Sequence, residues 1–360
     1  MPQPFPVYQN IIDQPKALAK VLESHLHSGK RPLERAAQII LNAKRVVLAS
    51  VGASYAASFP FIYRLAELGI KVILEDATEL LHYYFQVYDR STVFILTSRS
   101  GDTIEIVKLI EVLKGQGATI IGVTNVPESH LGQESDILLA LQSPADVLIA
   151  IQTWSATVLV LDLLAEQVAG RLPLPECRAE LERAVREVED ACEYYRKASL
   201  DWKPYFRPYN AIYLLGRGAS QASACQGQLL FHEMAWHPAT FYTAGHFRHG
   251  PWEIIEDGFL GFVFAPQDEC YALNIGLAAD IVGLQGQLAL ITPRPPQDLP
   301  YGALTCRVAA LPKALNPLVE IIPLQFFIYE FAIWKGHFPG EFRISTPITL
   351  TEGEMIDADP

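Results

Sequence analysis

The chain has 360 residues and a formal net charge of −12. Half of its residues are hydrophobic and 19% are charged, which is typical of globular proteins and excludes a disordered chain. The acidic balance argues against nucleic-acid binding, because non-specific binding of that kind requires basic surfaces. A chain of this length is expected to form two or three domains, each with its own core.

The first half of the chain alternates strands and helices. Apolar and β-branched runs predict strands, and amphipathic or apolar segments between them predict helices. This rhythm predicts a parallel sheet with helices on both faces. The predicted strands cover residues 44–50, 71–74, 92–97, 118–123 and 137–140, and the predicted helices cover 54–68, 103–114 and 155–168.

The most informative stretch is Ser98-Arg99-Ser100-Gly101-Asp102-Thr103, which lies where a strand turns into a helix. Backbone N–H groups at a helix N-terminus have no intrahelical partner and favour an anion. Hydroxyl groups add neutral donors, and glycine lets the backbone approach a ligand closely. The stretch therefore predicts a site for a phosphate ester. The alternative is an ordinary helix cap, which needs only one hydroxyl.

A Glu- and Arg-rich helix over residues 175–197 connects this half to a second half that resembles a copy of the first. Both halves have a strand, then Gly-Ala-Ser, then a helix, at residues 46–54 and 212–220. Ser54 precedes Ser100 by 46 residues, and Ser220 precedes Pro266 by the same number. We therefore expect two domains of one fold. The second copy has proline and acids in residues 265–269, so we expect one phosphate site per chain.

Two glycine-containing turns are weaker signals. Gly216-Arg217-Gly218 begins like a dinucleotide-binding fingerprint but lacks the third glycine, since the sixth position is Gln221. This disfavours a nicotinamide cofactor. Gly52-Ala53-Ser54 lies at the first strand-to-helix turn, where Ser54 is either a ligand donor or a simple N-cap.

The helix predicted at residues 222–236 has a carboxylate on an apolar stripe. Cys225, Leu229 and Trp236 form the stripe, and Glu233 lies on it. A carboxyl group on an apolar face has a raised pKa and suits general acid–base catalysis, unless it is simply exposed near the helix end.

A predicted loop over residues 240–251 follows this helix and contains His246, Arg248 and His249, which suit proton transfer to a ligand. A zinc site that also uses His232 and His237 is disfavoured, because the spacings do not match a metal motif. The five cysteines are widely spaced and lack a CxxC pair, which argues against zinc and disulfides and favours a reducing cytoplasm.

No signal peptide is expected, because the N-terminus lacks a basic and an apolar region. The apolar stretch from Leu318 to Trp334 contains Glu320, Pro323 and Glu330, so it predicts a core helix rather than a membrane span.

Taken together, these motifs resemble the double-SIS (sugar isomerase) family, which includes the isomerase half of glucosamine-6-phosphate synthase and the fructosamine-6-phosphate deglycases. The resemblance covers about residues 8 to 352. The matching motifs are Gly52-Ala53-Ser54-Tyr55, Ser98 to Thr103, His232-Glu233, residues 243–251, Pro323-Leu324-Gln325 and Lys335-Gly336.

The resemblance implies an α/β fold of two tandem SIS domains, each a doubly wound, flavodoxin-like parallel sheet flanked by helices. It divides the chain into an N-terminal helical segment (1–34), a phosphosugar-binding domain (35–169), a helical connector (170–200), a catalytic domain (201–345) and a C-terminal tail (346–360).

The resemblance also assigns roles to individual residues. It implies that the phosphate is bound by Ser98, Arg99, Ser100 and Thr103, that Ser54 supports the sugar, and that Gln152 makes a further substrate contact. Glu233 would be the general base that moves a proton between C1 and C2. His249 would assist at the ring oxygen or leaving group from a neighbouring subunit, which implies a homodimer.

Two departures from the synthase pattern shape the expected function. His246 stands where the synthase has a glutamate, and no lysine follows Lys335, although the synthase uses a lysine near its C-terminus. A glutamine-hydrolysing domain is also absent from this sequence. We therefore expect an enzyme acting on an amino-sugar or fructosamine 6-phosphate, either a deglycase or an aldose–ketose isomerase, with no cofactor or metal. The alternative is a non-catalytic sugar-phosphate sensor.

Overall fold

The computed structural model describes residues 5–297, 303–342, 344 and 350. Those residues form two compact units. The first unit contains residues 16–182, and the second unit contains residues 5–15 with residues 183–341. The division falls inside two helices, α1 (Pro6–Leu26) and α9 (Pro175–Ala198). The domain boundaries given above stay a prediction.

The first unit is a five-stranded parallel sheet with the strand order β2-β1-β3-β4-β5. Its strands are β1 (Arg45–Ser50), β2 (Val72–Asp76), β3 (Thr92–Thr97), β4 (Thr119–Thr124) and β5 (Ile137–Ala140). Besides parts of α1 and α9, its helices are α2 (Lys30–Asn42), α3 (Gly52–Ala57), α4 (Phe59–Glu67), α5 (Ala77–Glu79), α6 (Ile104–Gly115), α7 (His130–Glu134) and α8 (Gln152–Val168).

The second unit repeats this architecture, with the strand order β10-β9-β8-β6-β7 and parallel pairing throughout. Its strands are β6 (Ala211–Gly216), β7 (Thr240–Thr243), β8 (Phe259–Phe264), β9 (Gln287–Thr292) and β10 (Leu304–Arg307). Its helices include α10 (Gln221–Ala235), α11 (Ala244–Phe247), α12 (Tyr271–Gly283) and α13 (Asn316–Trp334). The predicted internal repeat and the doubly wound fold class are confirmed.

The predicted helix over residues 54–68 is wrong in one respect, because it is two helices. Helix α3 ends at Ala57, and α4 begins at Phe59. Pro60 lies in the first turn of α4, where its missing N–H costs nothing, but a continuous helix would place its ring against the carbonyl of Ala56. The break leaves α3 as a short helix directly after β1.

The apolar segment near the end of the chain forms the core helix of the second unit. Sixteen residues of α13 are buried, among them Phe327 and Phe331, which pack with Phe231 of α10 and Phe262 of β8. Within the described residues, Lys313–Trp334 is the one stretch long and apolar enough to cross a membrane, and 83% of its apolar 18-residue window is buried inside the protein. A helix that is buried to this extent is typical of the core of a protein domain.

The beginning of the chain also packs against α13, which explains why residues 5–15 belong to the second unit. The side-chain amide of Gln14 donates to Gln325 at 2.8 Å, and both residues are fully buried. The ring of Tyr8 lies 5.9 Å from that of Phe326.

Candidate functional site

The turn that contains Ser98 to Thr103 lies at the point where the first sheet reverses its strand order. The chain continues from β1 to β2 on one side, and β3 lies on the other side of β1. Ser50 and Thr97, the last residues of β1 and β3, are register partners. The turns after these strands therefore leave the sheet side by side. In doubly wound sheets, ligands bind in the crevice at this position.

Three hydroxyl groups cluster in this turn. The Oγ atom of Ser98 lies 3.0 Å from Oγ1 of Thr103, and Oγ of Ser100 lies 3.4 Å from the same atom. Ser98 Oγ accepts a hydrogen bond from the Gly101 amide at 3.1 Å, and Ser100 Oγ accepts one from the Asp102 amide at 3.3 Å. The hydroxyls are thus held together in front of the first turn of α6.

The Thr103 hydroxyl does not cap α6. Thr103 is the N-cap residue of α6, but its side chain makes no capping hydrogen bond. The first N–H groups of an α-helix have no intrahelical acceptor, so they remain donors at this end of α6. The three hydroxyls and the helix N-terminus together suit a phosphate group.

The backbone of the turn is fixed by its surroundings. Gly101 has a φ of +72°, and a Cβ atom there would lie 1.9 Å from Oγ of Ser129, so only glycine fits. Asp102 accepts a hydrogen bond from the His130 amide at 2.8 Å. The Arg99 guanidinium donates to the carbonyl of Leu148 at 2.7 Å, so this half-buried cation is held beside the turn.

Ser54 is not the N-cap of its helix, so that interpretation of the residue is wrong. The N-cap of α3 is Val51, and Ser54 lies inside the first turn. Its carbonyl accepts a hydrogen bond from Ser58 Oγ at 2.8 Å, and its side chain is half-buried. Ser54 therefore lies on the helix that begins beside the hydroxyl-rich turn, and its role in ligand binding stays a prediction.

Gln152 is the first residue of α8, three residues earlier than the sequence predicted for this helix. The Asp146 carboxylate explains the earlier start, because it accepts hydrogen bonds from the amides of residues 151–153 at 2.9–3.1 Å. The Gln152 side chain is only 2% exposed, and its Oε1 has no hydrogen-bond partner among the described residues. Asp146 was missed in the sequence, because it lies six residues before the helix it caps.

Glu233 lies in the last turn of α10 and is half-buried. The apolar stripe on which the sequence places it is not the core-facing side of the helix, which is a correction. Cys225, Leu229 and Trp236 are all half-buried, whereas Leu230 and Phe231 are fully buried. The helix ends at Trp236 in a left-handed conformation, and Lys335 Nζ donates to the Ala235 carbonyl at 3.1 Å.

The predicted loop over residues 240–251 is instead strand β7 followed by helix α11, so the loop prediction is wrong for residues 240–247. The hydroxyl of Thr243 caps α11 by accepting from the His246 amide. The side chains of His246 and His249 are exposed. Arg248 is held structurally, because its Nη2 lies 2.5 Å from an Asp280 oxygen and its guanidinium stacks over Trp252.

Glu233 lies towards the amino-terminal ends of the strands of the second sheet, whereas His249 lies towards their carboxyl ends. Helix α10 begins after the carboxyl end of β6 and runs back along the sheet, and Glu233 lies 12 residues beyond its first residue. At about 1.5 Å per residue, this is about 18 Å along the helix axis. His249 follows the carboxyl end of β7, whose last residue pairs with Gly216 at the end of β6. Within the second unit of one chain, Glu233 and His249 therefore cannot both contact the same substrate atoms.

A buried acid that sequence analysis did not single out for chemistry lies beneath the turn after β6. Glu320 is 1% exposed and accepts hydrogen bonds from Ser220 at 2.8 Å and Ser223 at 3.0 Å. Burial raises the pKa of this carboxyl to about 7, although the two hydroxyl donors oppose the increase. In the sequence, Glu320 appears only as a polar interruption of an apolar helix.

Within the described residues, no group of three or more His, Cys, Asp or Glu side chains could hold a metal ion. All five cysteines lie in this part of the chain, and none forms a disulfide. The predicted C-terminal tail, residues 346–360, lies outside the described residues except for residue 350.

Two segments of the chain, residues 39–167 and 205–335, match the family model of the SIS domain. A relative from Pyrobaculum aerophilum, a glutamine–fructose-6-phosphate aminotransferase (isomerizing), is 28% identical over 352 residues, which cover 94% of this chain and 56% of the relative. A Clostridium tetani protein of the same name is 24% identical over 348 residues, with coverages of 91% and 56%. The chain spans about half the length of these curated relatives.

Solved structures show the same fold. The C-terminal domain of glucosamine-fructose-6-phosphate aminotransferase from Francisella tularensis matches with a TM-score of 0.84 and 21% identity, covering 94% of this chain and 99% of that one. Tagatose-6-phosphate ketose/aldose isomerase from Escherichia coli matches with a TM-score of 0.73 and 17% identity, covering 92% and 94%.

Proposed function

Because this chain belongs to the SIS domain family, we propose that it is an enzyme that converts a phosphorylated sugar by moving a proton between C1 and C2. The observation that supports this best is the cluster of three hydroxyls at the N-terminus of α6, where the Thr103 side chain makes no capping hydrogen bond. The names of the relatives point the same way, since each refers to a hexose 6-phosphate.

The phosphate is the part of the substrate that does not react. Held by Ser98, Ser100 and Thr103 at a helix N-terminus, it orients the sugar chain and contributes binding energy at a distance from the reacting carbons. Donors and a helix N-terminus provide this attraction in a protein whose net charge is −12. The phosphate turn thus gives affinity, and the chemistry requires other groups.

Glu233 is the proposed general base. It takes a proton from C1 or C2 and returns it to the neighbouring carbon through an enediol or enaminol intermediate. If the substrate has nitrogen at C1, the second protonation gives a C1=N bond. Water then adds to C1, the amine leaves with a proton from His249, and an aldose phosphate remains.

We favour an amino-substituted ketose phosphate, a fructosamine 6-phosphate, as the substrate. Residues 336–360 contain no lysine that could form a Schiff base with the substrate. A substrate that already has nitrogen at C1 forms its own enaminol and needs no such lysine. A simple aldose–ketose isomerisation would use the same acid and histidine.

The proposed mechanism also requires a homodimer. Glu233 and His249 lie towards opposite ends of the strands of one sheet. Both can therefore contact one substrate only if His249 comes from a second copy of the chain. The exposed side chain of His249 is consistent with this role.

A thermal-shift panel tests the proposal. Hexose, amino-hexose and fructosamine 6-phosphates are compared with the same sugars without phosphate, because a ligand that binds only the folded state raises the Tm. The phosphorylated compounds should stabilise the protein, and at least one should be converted by the wild-type protein but not by Glu233→Gln. Equal stabilisation by unphosphorylated sugars would contradict the phosphate turn. Binding without any conversion would favour the sensor alternative.

A further inference from the structure

Arg217 occupies the turn after β6, which is the position in the second unit that corresponds to the start of α3 in the first. Its half-buried side chain donates from Nε to Oδ1 of Asn274 at 3.0 Å. The same guanidinium lies against Gly245, where a Cβ atom would be 2.9 Å from Nη1. Arg217 therefore contacts both the segment after β7 and the first turn of α12. Asn274 and Gly245 together restrict the position of its guanidinium group.

The two terminal nitrogens of this guanidinium have no acceptor among the described residues. Its Nε bond to Asn274 is the one hydrogen bond that Arg217 makes there. Asn274 is fully buried, and its Nδ2 likewise has no acceptor in the described part of the chain. Arg217 Nη1, Arg217 Nη2 and Asn274 Nδ2 are all donors, so a partner for this group must supply acceptors.

The carboxylates of this region are already engaged. Asp280 pairs with Arg248 at 2.5 Å, and Glu269 pairs with Lys313 at 2.9 Å. Asp268 accepts from the Cys270 amide at 2.9 Å. Glu320 accepts from two serine hydroxyls, as described above. Arg217 itself forms no ion pair with a described residue, and it lies at the reversal point of the second sheet, which is the place where doubly wound folds bind ligands.

The turn also leaves room for a ligand. Gly218 has a φ of +52°, and a Cβ atom placed on it would have no other atom within 4 Å. Gly52, the corresponding residue of the first unit, has a φ of +57° and the same open surroundings. The two turns share this opening, but the residue before the glycine is Val51 in the first unit and Arg217 in the second.

We propose that Arg217 anchors an oxyanion site in the second unit, which binds a carboxylate or phosphate group through Nη1 and Nη2. Two parallel N–H donors in one plane match the two oxygens of such a group. This inference is independent of the phosphate turn of the first unit, and it adds a second anion site to the one phosphate site that the sequence predicts.

The experiment separates this site from the phosphate turn. The parent protein is the Ser100→Ala, Thr103→Val double variant, in which the first site is weakened. Inorganic phosphate and succinate are titrated separately at constant ionic strength, with sodium chloride as the control, and binding is followed by Tm and by calorimetry. We expect at least one of the two anions to bind. Arg217→Gln in this background should weaken that binding roughly tenfold or more, since it removes charge-assisted hydrogen bonds.

Arg307→Gln is the matched control, because it removes an exposed arginine from the same unit. It should leave anion binding at the parent value. A preference for phosphate or for succinate identifies the group that the site accepts. If neither anion binds the parent, or if Arg217→Gln binds as tightly as the parent, the proposal is wrong.

A second variant covers the case in which Arg217→Gln fails to fold. Gly245→Ala keeps the arginine and its charge but places a methyl group against Nη1. It should displace the guanidinium and weaken anion binding to a similar extent, and unchanged binding would also overturn the proposal. The test does not use a phosphosugar, so its outcome is independent of whether the proposed reaction occurs.

Discussion

The Oγ atom of Ser98 and the Oγ1 atom of Thr103 lie 3.0 Å apart at the beginning of α6, although Thr103 occupies the capping position of that helix. A threonine at an N-cap normally accepts a hydrogen bond from the backbone of its own helix. Here its hydroxyl instead lies within hydrogen-bonding distance of two serine hydroxyls, so the proposed binding role of Thr103 can be tested separately from a capping role.

On the proposed function, Thr103→Val should weaken phosphosugar binding roughly tenfold. It should lower the free energy of unfolding by no more than about 1 kcal/mol, because it removes a proposed phosphate donor and its contacts with two serine hydroxyls but no capping bond. Ser129→Ala is the control in which a capping bond is lost but no proposed phosphate donor is. Ser129 does cap its helix, α7, so its loss should cost about 1 kcal/mol of stability and little affinity. Calorimetric titration and urea denaturation measure the two quantities. A Thr103→Val protein that loses stability but keeps affinity would restore the ordinary-cap interpretation.

Gly101→Ala should destabilise the protein more than Gly52→Ala. Both glycines have positive φ, so both variants incur a backbone cost of about 1–2 kcal/mol. Only at position 101 does the new Cβ also meet other atoms, at 1.9 Å from Ser129 Oγ and 2.9 Å from Thr124 Oγ1. That overlap should add about 1–3 kcal/mol. Urea denaturation of the two variants checks the order, and equal losses would show that the turn can rearrange.

Mixed dimers test whether Glu233 and His249 act from different chains. Glu233→Gln and His249→Asn should each be inactive alone. After denaturation and refolding of an equal mixture, half of the dimers contain one copy of each variant, and each such dimer has one intact site. Activity should therefore return to about one quarter of the wild-type value. If both residues served one site from the same chain, the mixture would stay inactive.

The stability of the protein should fall as the pH rises from about 4.5 to about 7, because of Glu320. Burial raises the pKa of this carboxyl from 4.5 to about 7 in the folded protein. The folded state therefore holds the proton more tightly than the unfolded state, and the unfolded state releases it first as the pH rises. The full loss is on the order of 3 kcal/mol, and above the folded pKa it stays constant.

Glu320→Gln should remove this part of the pH dependence, because the amide keeps the shape and does not titrate. Urea denaturation at several pH values in this window measures the slope. Asp162→Asn is a useful companion, since burial also raises the pKa of Asp162, to about 8, and its contribution extends to higher pH. An unchanged slope in Glu320→Gln between pH 4.5 and 7 would contradict the assignment.

The sequence by itself determined the strands of the first sheet, the fold class and the internal repeat. Strand β3, for example, is found at the predicted residues 92–97, because a fully buried parallel strand is a continuous apolar run that local composition reveals. The hydroxyl-rich turn was equally visible, because its residues are consecutive. Matching spacings at residues 54–100 and 220–266 were enough to predict two copies of one fold.

Only the tertiary structure decided which side chains meet. Asp146 starts α8 from six residues away, and Arg217 reaches Asn274 across 57 positions of the chain. The stripe of Cys225 and Leu229 was misjudged because helical spacing shows which residues share a face, but not which face the core covers. The opposite placement of Glu233 and His249 likewise depends on the direction of α10 relative to its sheet. Local sequence encodes backbone preference, whereas long-range contacts depend on how the strands are ordered.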